Sequence, residues 1–195
     1  MRSIVIWAVL LGLGFIAFSS ACSYNNRFVD MEENVSNAWS KVQSAYQRRA
    51  DLIPNLVNTV KGAADFEKET LEAVVNARSR ATSINIDPSN VTPDQLQKFQ
   101  EAQSGISQSL GRLLLISENY PELKANANFR DLQVQLEGTE NRIKVERDRF
   151  NDSVTAYNKS VRKFPGSFFA SVFGFDKKAQ FEAEAGSEQA PEVSF

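Results

Sequence analysis

From Met31 onwards the apolar and small residues Val35, Ala38, Val42, Ala45, Leu52 and Leu56 fall on one face of a helix, and Trp39, Tyr46, Ile53 and Val60 widen that stripe. Pro54 lies inside the pattern. It has no amide hydrogen for the carbonyl of Ala50 and crowds that carbonyl, so a kink is expected between Ala50 and Pro54. Lys61-Gly62 reads as a helix stop, and Asp65, near Glu67, as the cap of a second helix whose inward positions are Leu71, Val74, Val75 and Ala81. A loop from Asn85 to Asn90 follows. Thr92-Pro93-Asp94-Gln95 is a capping box with proline at the first helical position, and it opens a third helix.

Leu96, Phe99, Ile106, Leu110 and Leu113 form the inward stripe of that helix, Gly105 and Gly111 are expected to permit close packing, and Tyr120-Pro121 ends it. The fourth helix has the clearest period: Phe129, Leu132, Leu136, Ile143, Phe150, Val154, Tyr157 and Val161, with Asn128 as its expected cap and polar interruptions at Glu140 and Arg147. Two long and two shorter helices with short connections predict an all-α fold, an antiparallel up-and-down four-helix bundle. The alternative is a three-helix chain with no break at Gly62. One helix from Phe28 to Ser83 would then reach roughly 80 Å at about 1.5 Å per residue, well beyond what the third helix could cover.

Ahead of this body, Arg2 and the terminal amine precede an apolar run from Ile4 to Phe18 that passes into Ser19-Ser20-Ala21-Cys22. The architecture is that of a signal or anchor. A spanning helix needs about 20 apolar residues, so a single-pass transmembrane anchor is expected only if the run extends to Cys22. A lipoprotein signal is the alternative, with Cys22 as the lipidated residue. Asp30, Glu32 and Glu33 outnumber Arg27 just after the run, which places the amino terminus in the cytoplasm and the body outside it. Residues 1–22 thus read as anchor or lipoprotein signal, 23–175 as helical body with an aromatic end segment, and 176–195 as an acidic flexible tail.

Charge and composition remove several functions. The net charge of -2 and the pI near 5.4 lack the basic excess of a nucleic-acid binder, so no nucleic-acid partner is expected. The chain has no histidine, which excludes histidine-dependent hydrolytic triads and removes the commonest metal ligand near neutral pH. Its one cysteine allows neither an internal disulfide nor a Cys/His zinc site. No Walker-type loop or Gly-x-Ser-x-Gly elbow occurs. No cofactor, catalytic residue or small-molecule substrate is therefore assigned.

The segment Tyr46-Gln47-Arg48-Arg49-Ala50-Asp51-Leu52-Ile53-Pro54-Asn55-Leu56-Val57-Asn58-Thr59-Val60-Lys61-Gly62 resembles the signature of the LemA family of bacterial membrane-associated helical proteins. Further landmarks are Trp39, Tyr120-Pro121-Glu122-Leu123-Lys124-Ala125, Glu140-Asn141-Arg142-Ile143, Tyr157-Asn158, Phe164-Pro165, Phe173-Gly174-Phe175 and the ending Ala190 to Phe195, so the resemblance covers nearly everything after Cys22. Phe150 departs from it, since the family commonly has tyrosine there. The resemblance implies a four-helix bundle held at a membrane and supplies no catalytic residues.

Four constellations remain. Arg48, Asp51, Asn55 and Asn58 share one helical face and could receive an anionic ligand or a partner, whereas Arg49 falls on the apolar seam and is expected to cross to Glu140 of the fourth helix as a structural pair. Glu137 and Glu140 would suggest a carboxylate metal site, but the di-iron pattern also needs a histidine. Phe164, Phe168, Phe169, Phe173 and Phe175 surround a short helix capped by Ser167, and either fold back over the bundle or contact a membrane interface or partner. Finally, Val193 and Phe195 at the end of the acidic tail could be presented to an edge-strand receptor. The reading is a membrane-tethered, non-enzymatic scaffold or interaction protein with the membrane and another protein as partners; a peripheral lipid-binding module and, third, a carboxylate-metal enzyme are the alternatives.

Overall fold

The computed structural model describes residues 2–62, 67–87 and 91–182, with only the helical backbone described for residues 2–5, 8 and 9. The described residues are all-helical, with several long packed helices: α1 (Arg2–Lys61), α2 (Lys68–Thr82), α3 (Pro93–Ser117), α4 (Pro121–Ala125), α5 (Ala127–Arg162) and α6 (Gly166–Phe173). Arg49 of α1 meets Glu140 while Trp39 meets Phe150, so α1 and α5 run antiparallel. Tyr46 meets Phe99 and Arg49 meets Ser107, which sets α3 parallel to α1. Between them α2 returns towards the start, its Arg78 reaching back to Ala50.

The apolar run and the first body helix form one helix, α1, which passes through Cys22 without interruption. Among the described residues, no helix is long and apolar enough to cross a membrane; the run falls partly on residues whose side chains lie outside that set. Helix α1 also continues through Pro54, where a kink was expected. The carbonyl that proline deprives of a partner, that of Ala50, instead accepts a hydrogen bond from Nε of Arg78 at 2.7 Å. A donor from the neighbouring helix replaces the missing intrahelical one.

The stop at Lys61-Gly62 is where the pattern put it, and so is the capping box, in which Thr92 Oγ1 accepts from the Gln95 amide and the Thr92 amide donates to Gln95 Oε1. Other punctuation differs. Asp65 lies outside the described residues, and Glu67 precedes α2 with no side-chain cap. Asn126 rather than Asn128 caps α5, accepting from the amides of Asn128 and Phe129, because the short helix α4 ends just before it. Pro165, not Ser167, precedes α6. A Cβ at Gly105 or Gly111 would meet nothing, so close packing does not account for them. Val75 is exposed, and Ala77 takes the inward position in its place, which keeps the stripe of α2 at steps of three and four.

Among the described residues, two apolar clusters make up the core. One gathers Phe28, Val35, Trp39, Val42, Tyr46, Phe99, Ile143, Phe150, Val154 and Tyr157; the other gathers Ile53, Leu56, Val60, Leu71, Val74, Ile106, Leu113, Phe129, Leu132 and Leu136. Ile86 and Val91, from the connection between α2 and α3, also belong to the first. So does Phe181, from the segment expected to be a mobile tail. Residues 176–182 instead lie along α5; residues 183–195, including Val193 and Phe195, lie outside the described set.

Candidate functional site

Between the two apolar clusters lies a polar layer. On α1 Arg49 sits between Tyr46 and Ile53, on α3 Gln103 between Phe99 and Ile106, and on α5 Glu140 between Leu136 and Ile143, so three helices place a polar side chain at the same level. Arg49 is 2% exposed. Its NH1 donates to Glu140 Oε2 at 2.7 Å and to Ser107 Oγ at 2.8 Å; its NH2 donates to Gln103 Oε1 at 2.7 Å and to the Gln103 carbonyl at 3.0 Å. The guanidinium carbon stands 5.2 Å from the centroid of the Tyr46 ring. Burying a charge this completely is tolerated only when it is paired and hydrogen-bonded, and the fork geometry of arginine meets both demands.

The layer can do little chemistry. Its arginine is enclosed and its two terminal nitrogens are engaged by the chain's own groups, so an incoming anion has no approach to them. Nε of Arg49 has no hydrogen-bond partner among the described residues. Burial pushes the Tyr46 hydroxyl above its ordinary range, against the opposing pull of Arg147 and Arg49. Arg49 and Glu140 are thus brought together as expected, while Gln103 and Ser107 were missed. Gln103 had a signal: a polar residue on the apolar stripe of α3, at the level where α1 and α5 also lapse.

The remaining candidates separate. Arg48, Asp51, Asn55 and Asn58 face solvent on α1, apart from Arg49, with Asp51 accepting from Gln47 Nε2 at 2.8 Å. Cys22 is exposed and free. Among the described residues no group of three or more acidic or sulfur ligands is placed to hold a metal ion. In the aromatic segment, Phe169 stacks on Tyr24 of α1 with centroids 4.8 Å apart and Phe175 packs on Phe28 at 5.1 Å, whereas Phe164, Phe168, Val172 and Phe173 are exposed. The cluster divides between folding back and facing outwards. A buried carboxylate was also missed: Glu146 on α5, whose Oε1 accepts from Arg149 at 3.0 Å, while its Oε2 has no hydrogen-bond partner among the described residues.

Taken with the landmarks around Arg49, this all-helical architecture is that of a LemA-type helical protein, and comparison with known families agrees. Residues 38–195 match the LemA family, and the chain belongs to it. The match starts at residue 38, later than the Cys22 boundary of the resemblance. Among individual proteins, the chain is similar to magnetosome protein MamQ of Magnetospirillum gryphiswaldense, 27% identical over 83% of this chain and 66% of that protein. It is likewise similar to MamQ 2 of Paramagnetospirillum magneticum, 24% identical over 100% of this chain and 76% of the relative. Protein LemA of Metamycoplasma hominis is 25% identical, over 89% of this chain and 75% of its own length.

Proposed function

We propose that this protein is a membrane-tethered, non-enzymatic scaffold or interaction protein, an up-and-down four-helix bundle carried on an N-terminal anchor. One observation carries the reading. Helix α1 buries its apolar stripe from Phe28 onwards, yet over its earlier part it leaves Ile6, Trp7, Leu10, Leu11, Leu13, Phe15, Ile16 and Phe18 exposed. Exposed apolar surface of that extent marks a membrane or protein contact. At about 1.5 Å per residue, Ile4 to Cys22 reaches roughly 28 Å, close to the roughly 30 Å of a bilayer's hydrocarbon core.

Fractionation of cells producing the full chain tests the tether. The protein should sediment with membranes and stay there through an alkaline wash, and removal of residues 2–21 should release it. Full-length protein in the soluble fraction would refute the tether. Cys22→Ser then separates the two anchors, since only a lipoprotein loses a fatty-acid label. Protease added to intact spheroplasts should reach the body if it lies outside the cytoplasm.

Helix α6 supports the second reading, peripheral lipid binding. Phe164, Phe168 and Val172 recur every four residues and are all exposed, and the Tyr24–Phe169 stack sets α6 beside α1 just after the apolar run. Aromatic rings there would sit at the level of the headgroups, with Arg162 and Lys163 alongside. Vesicle binding by the body without residues 2–21, lost on Phe168→Ser, would favour this reading over the scaffold.

A further inference from the structure

After α6 the chain turns at Gly174, whose φ of 77 is one that residues with a side chain rarely adopt, and runs back along α5. Two asparagines hold it. Asn158 donates Nδ2–H to the carbonyl of Lys178 at 2.9 Å and accepts the Lys178 amide on Oδ1 at 3.0 Å; Asn151 does the same for Phe181, at 3.1 and 2.9 Å. The two asparagines are seven residues apart on α5, about 10.5 Å of helix rise, and three residues of chain cover that span only when nearly extended, at about 3.4 Å each. Each carboxamide turns one donor and one acceptor to the segment, the pairing that a neighbouring strand would offer.

Between these rungs, Gln180 donates Nε2–H to Thr155 Oγ1 at 2.6 Å and to the Asn151 carbonyl at 3.0 Å. Beyond them, Gln100 and Arg147 both donate to the carbonyl of Glu182. Two side chains supply selectivity. Phe181 is buried against Trp39 and Phe150, under the guanidinium of Arg147, and Lys178 reaches Glu32 of α1 at 2.7 Å over the Tyr157 ring.

We propose that this groove is a binding site for an extended peptide segment with a basic residue three positions before a phenylalanine, and that residues Lys178–Glu182 of a second copy of this chain enter it in exchange for the chain's own. The asparagine rungs bond backbone atoms alone, so they hold any chain of the right extension. A single aromatic anchor and a single ion pair then choose the sequence. Every copy carries both halves, so reciprocal exchange restores each contact and closes a two-fold dimer. The connection, Asp176-Lys177, is exposed on both residues and follows the turn at Gly174, where the chain can open without disturbing α6.

Two full-length chains test this, both carrying Cys22→Ser: a receiver with Thr155→Cys and a donor with Gln180→Cys. After mixing and mild oxidation, exchange gives a disulfide-linked heterodimer severalfold above either homodimer. An excess of a peptide spanning Asp176–Glu182 competes for the opened grooves and lowers the yield severalfold; the same peptide with Phe181→Ala, which lacks the aromatic anchor, leaves it unchanged. A heterodimer no more abundant than the homodimers overturns the proposal, as does a yield indifferent to the competing peptide.

Discussion

Arg78 is expected to matter because of a proline on another helix. Pro54 leaves the Ala50 carbonyl without its intrahelical donor, the Ala50 residue is only 3% exposed, and Arg78 Nε supplies a charge-assisted bond at 2.7 Å. Removing the donor by Arg78→Ala loses a bond worth about 1.5 to 3 kcal/mol and leaves a buried acceptor unsatisfied. In a Pro54→Ala background the residue at position 54 regains an amide that can close the helical bond to Ala50. Arg78→Ala should then cost about 1 kcal/mol or less, since the acceptor is no longer orphaned. The expected coupling between the two sites is thus about 1 to 2 kcal/mol, of the size found for groups in direct contact. Urea unfolding of the four chains, followed by helical circular dichroism, measures it. Equal costs for Arg78→Ala in both backgrounds would refute the exchange of donors.

Arg49→Ala should destabilise by about 3 kcal/mol or more, because Gln103 and Ser107 lose their partner inside the core, whereas Glu140→Gln should cost about 1 kcal/mol, since the Glu140 side chain is 56% exposed and partly screened; matching melting temperatures for the two would contradict this. Burial, with Glu32 and Asp176 adding to it, pushes the Tyr157 hydroxyl up to about 12 from 10.0. The unfolded chain therefore loses this proton first, so its contribution is intact below pH 10 and is lost as pH rises from 10 towards 12. Tyr157→Phe should flatten alkaline destabilisation in that window, and an unchanged profile in a pH series of unfolding curves would count against it. Phe181→Ala should cost about 3 kcal/mol as a buried aromatic, while Phe168→Ala, 61% exposed in the parent, should leave the unfolding midpoint almost unmoved; the opposite order would show that the roles of the two rings are reversed.

How much of this was legible beforehand depends on the range of the interaction. Helical period, the stop at Lys61-Gly62 and the Thr92 to Gln95 capping box are local, and the residues that cause them lie within a turn or two of where they act. The family signature around Arg49 is local too, and Arg49 opposite Glu140 could be anticipated because each interrupts an apolar stripe. Cap positions were less secure: Asn126 and Asn128 are chemically alike, and the short helix α4 decides between them.

Other features had no local signature. Pro54 announces a broken hydrogen bond, but only the return of α2 brings Arg78 within reach of the Ala50 carbonyl. Lys178 to Glu182 reads as part of a polar tail, because one phenylalanine among charged and small residues cannot order a segment by itself. Order comes from outside it: two asparagines on α5, spaced to match an extended backbone, and a cavity between Trp39 and Phe150 that exists only once α1 and α5 are packed together. The sequence by itself determined the helices and their apolar faces, since period and caps act over a few residues; the partners of its buried polar groups were decided by tertiary structure, since a hydrogen bond needs two groups within about 3 Å and only packing sets that distance.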